Sequence, residues 1–459
     1  MKKRYVVVLA AGQGTRMKSK LFKVMHPVMG RPMVGHVVQA ALDAKVDRVI
    51  TITGFGAEVI KDYLGETSEY VYQEEQLGTA HAVDQARHLL GDEEGTTVVL
   101  SGDTPLITAE TIEALMDFHE KEEAKATVLT AMADDPFGYG RVIRTEDGSV
   151  DKIVEEKDAS ESERAVQEIN TGTYCFDNKD LFETLTKVDN NNAQGEYYLP
   201  DVIEILKKQH EIVGAYRLEN MDEALGVNNR VALSEATQIM RERINTEHMV
   251  NGVTLIDPNN TYIEVDVKIG QDTVIEPATY LKGNTIVGND VFIGMHSTIE
   301  DSEIADNVII KQSVIEESIV HSGADVGPHS HLRPLSVIGE NAHIGNYVEI
   351  KKATIGEDTK VGHHTYIGDA TVGKNVNVGC GVVFANYDGK GKAQSTVGDN
   401  SFIGSNANLV APVSLGDNSF VAAGSTITEE VPSNALGIAR ARQVVKEDFY
   451  KDHFTEDSK

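Results

Sequence analysis

Residues 5–11 (YVVVLAA) form an unbroken apolar, largely β-branched run that stops at Gly12. This is the pattern of a strand buried on both faces and opening onto a loop. Helical and strand spacing then alternate: Val34 to Ala44 predicts a helix, Arg48 to Thr53 a strand, Thr79 to Leu90 a helix, and Thr97 to Leu100 a strand ending on Ser101-Gly102-Asp103. Such alternation predicts a Rossmann-like α/β fold with a mostly parallel sheet. Ligands sit at the carboxyl ends of strands in these sheets, so Gly12 and Asp103 are expected to face one site. From Asn228 to about Met249, Leu233, Ala236, Met240 and Ile244 recur at helical spacing among charged residues. They predict an amphipathic connecting arm.

After residue 265 the period changes. An aliphatic residue returns every six positions, often followed by glycine: Val287-Gly288, Ile293-Gly294, Ile338-Gly339, Ile344-Gly345, Val361-Gly362, Ile367-Gly368 and Ile403-Gly404. Five-residue slips run from Ile350 to Ile355 and from Ile367 to Val372. A period of six demands very short strands with a corner in each repeat, the hexapeptide parallel β-helix, in which stacked coils share one continuous core. The beat is lost between Phe384 and Val397, over NYDGKGK, so a loop leaves the solenoid there. It is either a tolerated insertion or a place for binding residues. The expected organisation is a domain at 1–228, a linker helix at 229–250, a β-helix at 251–437 and a charged tail at 438–459.

Composition narrows the partners. At 459 residues the chain has room for two or three domains. Its 72 acidic against 42 basic side chains leave a net charge of −30, which disfavours nucleic acid and anionic lipid surfaces. Any anionic substrate must be held by local Lys, Arg, metal ions or backbone N–H groups, so basic residues in motifs carry information. No apolar stretch near the N-terminus predicts membrane insertion or a cleaved signal. Cys175 and Cys380 suggest neither a disulfide framework nor a cysteine zinc site. A cytoplasmic protein is expected.

The segment LAAGQGTRM follows the first strand. Its glycines let successive N–H groups approach an oxyanion, and Arg16 and Lys23 add charge. It is not a Walker A motif, and it lacks the third glycine of the dinucleotide fingerprint. Taken alone it is also compatible with an ordinary strand–helix turn. Asp103 alone is compatible with a loop-capping carboxylate. LAAGQGTRM, Lys23 in KVMH and the following GRPM together resemble the signature of sugar-1-phosphate nucleotidyltransferases. Joined to a hexapeptide β-helix, they resemble the bacterial family of bifunctional UDP-N-acetylglucosamine pyrophosphorylases and glucosamine-1-phosphate N-acetyltransferases, over nearly the whole chain.

That resemblance implies a left-handed β-helix, against the usual crossover hand, and a set of site residues. Leu9, Ala10, Ala11, Gly12 and Lys23 would hold the nucleotide, and Arg16 its phosphates. Gln73, Gly78 and Thr79 of the QLGTAHA region would read the uracil. Asp103 and Asn228 would bind Mg2+. Gly140, Glu155 and Asn170 would contact the amino-sugar. Phe22 replaces the proline common before this lysine. The substrates implied are UTP with N-acetylglucosamine 1-phosphate, and acetyl-CoA with glucosamine 1-phosphate.

The repeats carry seven histidines, and neighbouring coils could in principle pair them into a zinc site. The segment GHHTYIGDA differs from its neighbours by bulky polar residues between beats. Acyl transfer to an amine needs a base, and histidine suits neutral pH. By resemblance His363 is that base. Arg333, Lys351, Tyr366 and Asn377 would surround the amino-sugar phosphate, and Cys380, Asn386, Tyr387, Ser405, Ala423 and Arg440 would meet acetyl-CoA. Cys380 stands where the family often has alanine. Lys351 with Lys352 could otherwise be a solvated pair, and Arg333 an exposed corner. One coil face is too shallow to enclose these ligands, so sites between subunits of a homotrimer are expected. Rival readings are a pyrophosphorylase for another sugar whose β-helix only assembles, a non-catalytic sugar-nucleotide binder and a zinc hydrolase.

Overall fold

The computed structural model describes residues 2–146 and 148–454; residues 455–459 of the expected tail lie outside them. The chain divides into two compact units, Met1–Arg241 and Glu242–Lys459.

The strands of the first unit's main sheet are β1 (Arg4–Ala10), β2 (Arg48–Thr53), β3 (Glu69–Tyr72), β4 (Thr96–Ser101), β5 (Ala126–Met132), β6 (Gly140–Arg144), β7 (Val150–Val154), β8 (Glu168–Asp177) and β9 (Val213–Arg217). The main path of the sheet is β9-β5-β8-β4-β1-β2-β3, with β6 paired to β8 and β7. Pairs β1–β2, β1–β4, β2–β3 and β5–β9 are parallel, whereas β8 runs antiparallel to both β4 and β5.

The unbroken apolar run of β1 has a direct cause. Val6, Val8 and Ala10 enter one core with Val34, Val37, Ile112 and Leu115. Tyr5 and Val7 enter the opposite core with Val83, Leu90, Phe182 and Ile203. Successive side chains alternate across the strand, so a sheet covered on both faces needs apolar residues at every position. The helix expected over 79–90 is broken into α1 (Thr79–Asp84) and α2 (Arg87–Leu90). There the Ala86 N–H bonds the Val83 carbonyl in a tightened turn, and Arg87 bonds both Asp84 and the Phe182 carbonyl. The arm is a 21-residue helix, α3 (Arg230–Val250), that runs from one unit into the other.

In the second unit Tyr262 pairs in parallel with Tyr280, and Tyr280 with Thr298. These coils therefore take eighteen residues, or three hexapeptides, whereas Thr298 pairs with Val314 after sixteen and Glu349 with Tyr366 after seventeen. One inward ladder is Ile299, Ile315, Leu332, Ile350, Ile367, Phe384, Leu409 and Ile427, all buried. One corner column is Asp290, Asn307, Asn341, Asp358, Asn375, Asn400 and Asn418, each at positive φ. Asn and Asp tolerate this region best among residues with a side chain. The five-residue slips fall where two faces share one seven-residue strand, Glu349–Ile355 and Tyr366–Val372. The coil from Asn377 to its partner Phe402 holds the insertion. It closes as a tight loop, with Tyr387 bridged to Lys392 and the Ala393 N–H on the Asn386 carbonyl at 2.9 Å.

Two candidate active sites

The first site lies at the carboxyl ends of β1 and β4. The Gly102 N–H bonds the Leu9 carbonyl at 2.9 Å, and the Val227 N–H bonds the Asp103 carbonyl at 2.9 Å. These two bonds bring Leu9–Gly12, Asp103 and the 226–228 segment to one place. A Cβ on Gly12 would meet only open space, whereas one on Gly14 would overlap the Lys23 side chain. Gly14, at φ +67°, thus lets the short turns Thr15–Met17 and Lys23–Met25 close on each other. The Lys23 ammonium pairs with the Asp103 carboxylate and lies 2.7 Å from Asn228 Oδ1. Arg16 donates to the same Asn228 oxygen at 2.8 Å. Two cations, one carboxylate and one amide oxygen therefore converge from positions far apart in the chain.

Gln73 is buried; its Nε2 is 3.0 Å from His81 Nδ1 and donates to the Gly78 carbonyl at 3.4 Å. Thr79 Oγ1 accepts the Leu199 N–H at 2.9 Å. Gly54 packs against the Ala11 carbonyl and Gln76 Nε2, placing this segment beside the Leu9–Gly12 loop. Gly78 sits at φ +123° and a Cβ there would overlap the Tyr197 backbone. Gly78→Ala is therefore expected to destabilise the protein by ~2 kcal/mol or more and to weaken UTP binding, checked by urea unfolding and by titration with UTP.

Gly140, Glu155 and Asn170 form a third side of this site. A Cβ on Gly140 would lie 3.1 Å from Glu155 Oε1 and 3.4 Å from Asn170 Cβ. Burial pushes the Glu155 carboxyl above its usual range, the Asp158 charge adds to this, and Arg141 opposes it. Asn170 donates to the Tyr174 hydroxyl at 2.6 Å, just before an irregularity in β8 centred on Gly172 at φ +81°. A cavity of about 380 Å³ is lined by Arg16, Glu155, Lys157, Gln194 and Tyr198 among others. Lys157, Gln194 and Tyr198 are not among the residues expected from the sequence. They form a chain, Lys157 Nζ to Gln194 Oε1 and Gln194 Nε2 to the Tyr198 hydroxyl, each at 2.6 Å. Their one signal in the sequence is a lysine directly after Glu155-Glu156 in an acidic chain.

The second site occupies one edge of the β-helix. Register pairs Val361 with Val378, Val378 with Ile403, and Ile403 with Val421. Two positions further along each strand, His363, Cys380, Ser405 and Ala423 therefore stack in one exposed column. Above Ala423, the Gly424 position packs toward the Arg440 side chain. Around the corner Arg333 pairs in register with Lys351, and Lys351 with Gly368. The Tyr366 hydroxyl lies over Gly368, where a Cβ would overlap it. Arg333 donates to Glu349 at 2.8 Å. The Lys351 ammonium is held below its ordinary range by its contact with Lys392, with Arg333 adding to this. Asn386 is buried and donates to Asp369 at 2.6 Å, anchoring the inserted loop, while Tyr387 stays exposed. Asn377 falls apart from the phosphate group of residues: it lies on the face carrying His363, paired with Lys360 and Phe402.

Among the described residues no three His, Cys, Asp or Glu side chains converge on a metal-sized gap. Instead, His343 pairs with Asp325 at 2.8 Å and His331 with Glu316 at 2.9 Å. No helix among the described residues is long and apolar enough to cross a membrane.

Known families match both units. A family described as nucleotidyl transferase matches residues 5–222, and a bacterial transferase hexapeptide family of six repeats matches 266–301. A GMPPB C-terminal domain matches 314–387, and a hexapeptide repeat of succinyl-transferase 395–429. The chain is 61% identical to the bifunctional protein GlmU of Enterococcus faecalis, over 98% of each chain. It is 60% identical to that of Latilactobacillus sakei, over 98% of this chain and 97% of the relative. For the Geobacillus GlmU the identity is 58%, over 98% of each. With a nucleotidyltransferase unit, a hexapeptide transferase unit and near-complete alignment to these relatives, the chain belongs to the bifunctional GlmU family of two-activity transferases.

Proposed function

We propose that the first unit transfers UMP from UTP to N-acetylglucosamine 1-phosphate, releasing pyrophosphate, and that the second acetylates glucosamine 1-phosphate with acetyl-CoA. The observation that carries this reading is the meeting of Lys23, Arg16, Asp103 and Asn228 at the strand ends of a chain whose net charge is −30. An oxygen of the sugar phosphate attacks the α-phosphorus of UTP, and the bond to pyrophosphate breaks. Two anions must approach each other, so Lys23 and Arg16 offset their repulsion and the charge on the leaving group. The sugar phosphate is already an anion, so no protein nucleophile is required.

Asp103 and Asn228 fit Mg2+: both present hard oxygen donors, and both already bond one cationic nitrogen, that of Lys23. One carboxylate and one amide, completed by phosphates and waters, suit this ion. When bound, it supplies neutralising charge to the phosphates. Gly12 leaves open space for the nucleotide's approach. Gln73, Gly78 and Thr79 hold the uracil, and Gly140, Glu155 and Asn170 hold the amino-sugar.

In the second unit His363 removes a proton from the attacking nitrogen of glucosamine 1-phosphate. The N–C bond forms and the thioester C–S bond breaks, releasing coenzyme A. Arg333 and Lys351, with Tyr366 beside them, bind the sugar phosphate. The column His363–Cys380–Ser405–Ala423, ending near Arg440, offers an extended edge for acetyl-CoA, and Asn386 and Tyr387, on the inserted loop that Asn386 anchors beside Tyr366 and Asp369, would meet it as well. Asn377 lies around the corner from the phosphate-binding group of the same chain. This supports a homotrimer in which copies complete each other's sites.

Two assays on one preparation test the reading. The expected result is coenzyme A release from acetyl-CoA plus glucosamine 1-phosphate, and pyrophosphate release from UTP plus N-acetylglucosamine 1-phosphate with Mg2+. Sedimentation should give three times the chain mass. Pyrophosphate release without acetyl transfer would reduce the β-helix to a scaffold.

A further inference from the structure

Four segments carry the cationic and metal-binding groups of the first site, at Arg16, Lys23, Asp103 and Asn228, and one side chain ties three of them together. Arg230, the first residue of α3, donates from Nε to the Met17 carbonyl at 3.3 Å. Its Nη1 meets His26 Nδ1 at 3.2 Å. Met17 follows Arg16, His26 closes the turn that begins at Lys23, and Arg230 stands two residues after Asn228. Asn228 Oδ1 in turn accepts from both Arg16 and Lys23. Two closed circuits result: one runs Asn228, Arg16, Met17, Arg230, and the other Asn228, Lys23, His26, Arg230.

The chemistry of the His26 contact is constrained. A guanidinium only donates, so Nδ1 must accept and the ring must be neutral with its proton on Nε2. His26 is buried, and Nε2 finds no hydrogen-bond partner among the described residues. Burial holds this imidazole below its ordinary range; the Arg230 charge adds to the effect and the Leu21 backbone partly offsets it. A buried histidine whose Nε2 makes no well-formed hydrogen bond carries a desolvation penalty, which an apolar residue of similar size would avoid. What the histidine provides is an acceptor for Arg230. Leucine or methionine would fill the space without that acceptor.

We propose that Arg230, seated on His26, is a positioning residue for uridylyl transfer: it holds the Arg16 turn, the Lys23 turn and Asn228 in the relation that receives the metal-bound triphosphate. This rests on the uridylyltransferase reading above. The Arg230 guanidinium bonds Met17 and His26, on the phosphate side of the site, rather than the Gln73–Thr79 segment or Gly140, Glu155 and Asn170. Its loss should therefore act on metal–triphosphate binding and turnover, and leave sugar recognition alone.

The test uses the full chain with Arg230→Met, Arg230→Lys, His26→Leu and His26→Asn. Binding of Mn2+ in the presence of UTP is followed by the electron paramagnetic resonance of the free ion, alongside steady-state kinetics. Arg230→Met and His26→Leu are expected to weaken Mn2+ binding about tenfold and lower kcat roughly 10- to 100-fold. The KM for N-acetylglucosamine 1-phosphate should stay within about twofold and acetyl transfer should be unchanged. Arg230→Lys keeps the charge without the fork that reaches two acceptors, so it should resemble Arg230→Met. His26→Asn places an acceptor oxygen near the Nδ1 position and should recover most of the loss. Combined with Asn228→Ala, Arg230→Met should add little further, because the two act as one unit. Unchanged Mn2+ binding, an equal rise in the sugar-phosphate KM, or full additivity with Asn228→Ala would each overturn the proposal. If the wild-type protein released no pyrophosphate, the uridylyl-transfer reading would fall, while the Mn2+ titration would still judge the clamp.

Discussion

Asp103→Ala lowers kcat for pyrophosphate release by ~10³-fold or more, while coenzyme A release at the second site stays within about twofold of wild type. The size of the effect follows from what the carboxylate does. It is the acidic group that bonds Lys23, and its oxygen meets Asn228 at that ammonium. Removing it takes away the anionic half of the proposed Mg2+ site and releases Lys23 from the position in which it faces the phosphates. Asn228 still accepts from Lys23 and Arg16, so the cluster keeps part of its shape and UTP binding falls less than turnover. Asp103→Asn separates charge from geometry: an oxygen donor remains, and a loss close to that of alanine would show that the charge is what matters. The fold is not expected to suffer, because the Asp103 backbone carbonyl keeps its bond from the Val227 N–H. A folded Asp103→Ala protein with ordinary uridylyl transfer would remove the residue from the site.

His363→Ala has the reciprocal expected result: acetyl transfer falls by ~10²- to 10⁴-fold, the usual range for losing a positioned general base, and pyrophosphate release is untouched. The imidazole is exposed at the end of the strand Lys360–His363, so its removal leaves the buried ladder through Val361 intact. A fall in kcat with little change in the KM for acetyl-CoA distinguishes a base from a binding residue. His364 is the natural control. It points from the corner at φ +47° and stacks on Tyr347, whose ring stacks in turn on His329 at 5.1 Å. His364→Ala should cost far less activity than His363→Ala. Loss of both activities in each of the folded Asp103 and His363 variants would contradict two separate sites.

The two patterns of hydrophobic residues were enough to read the architecture. A continuous apolar strand means cover on both faces, and a six-residue beat means very short strands with a corner in each repeat; both are local consequences of where side chains point. Gly12 and Asp103 stand out in one dimension as strand ends, and the GHHTYIGDA segment as a polar interruption of the repeat, whereas the roles expected of Lys23 and His363 came from the family resemblance. The break between α1 and α2 was not, because it depends on Arg87 reaching Phe182, nearly a hundred residues away. Nor was the antiparallel course of β8, because strand direction is set by the path of the connections and not by the pattern within the strand.

Only the tertiary structure placed Asn228 against Lys23 and Arg16, assembled Lys157, Gln194 and Tyr198 into one wall, and put Asn377 on a different face from Arg333. The single β-helix edge carrying His363, Cys380, Ser405 and Ala423 likewise emerges only once the coil register is known. Periodicity records which side of its own element a residue faces. Which elements meet is decided by the path of the connections and the register of the coils, and a catalytic site is made from those meetings.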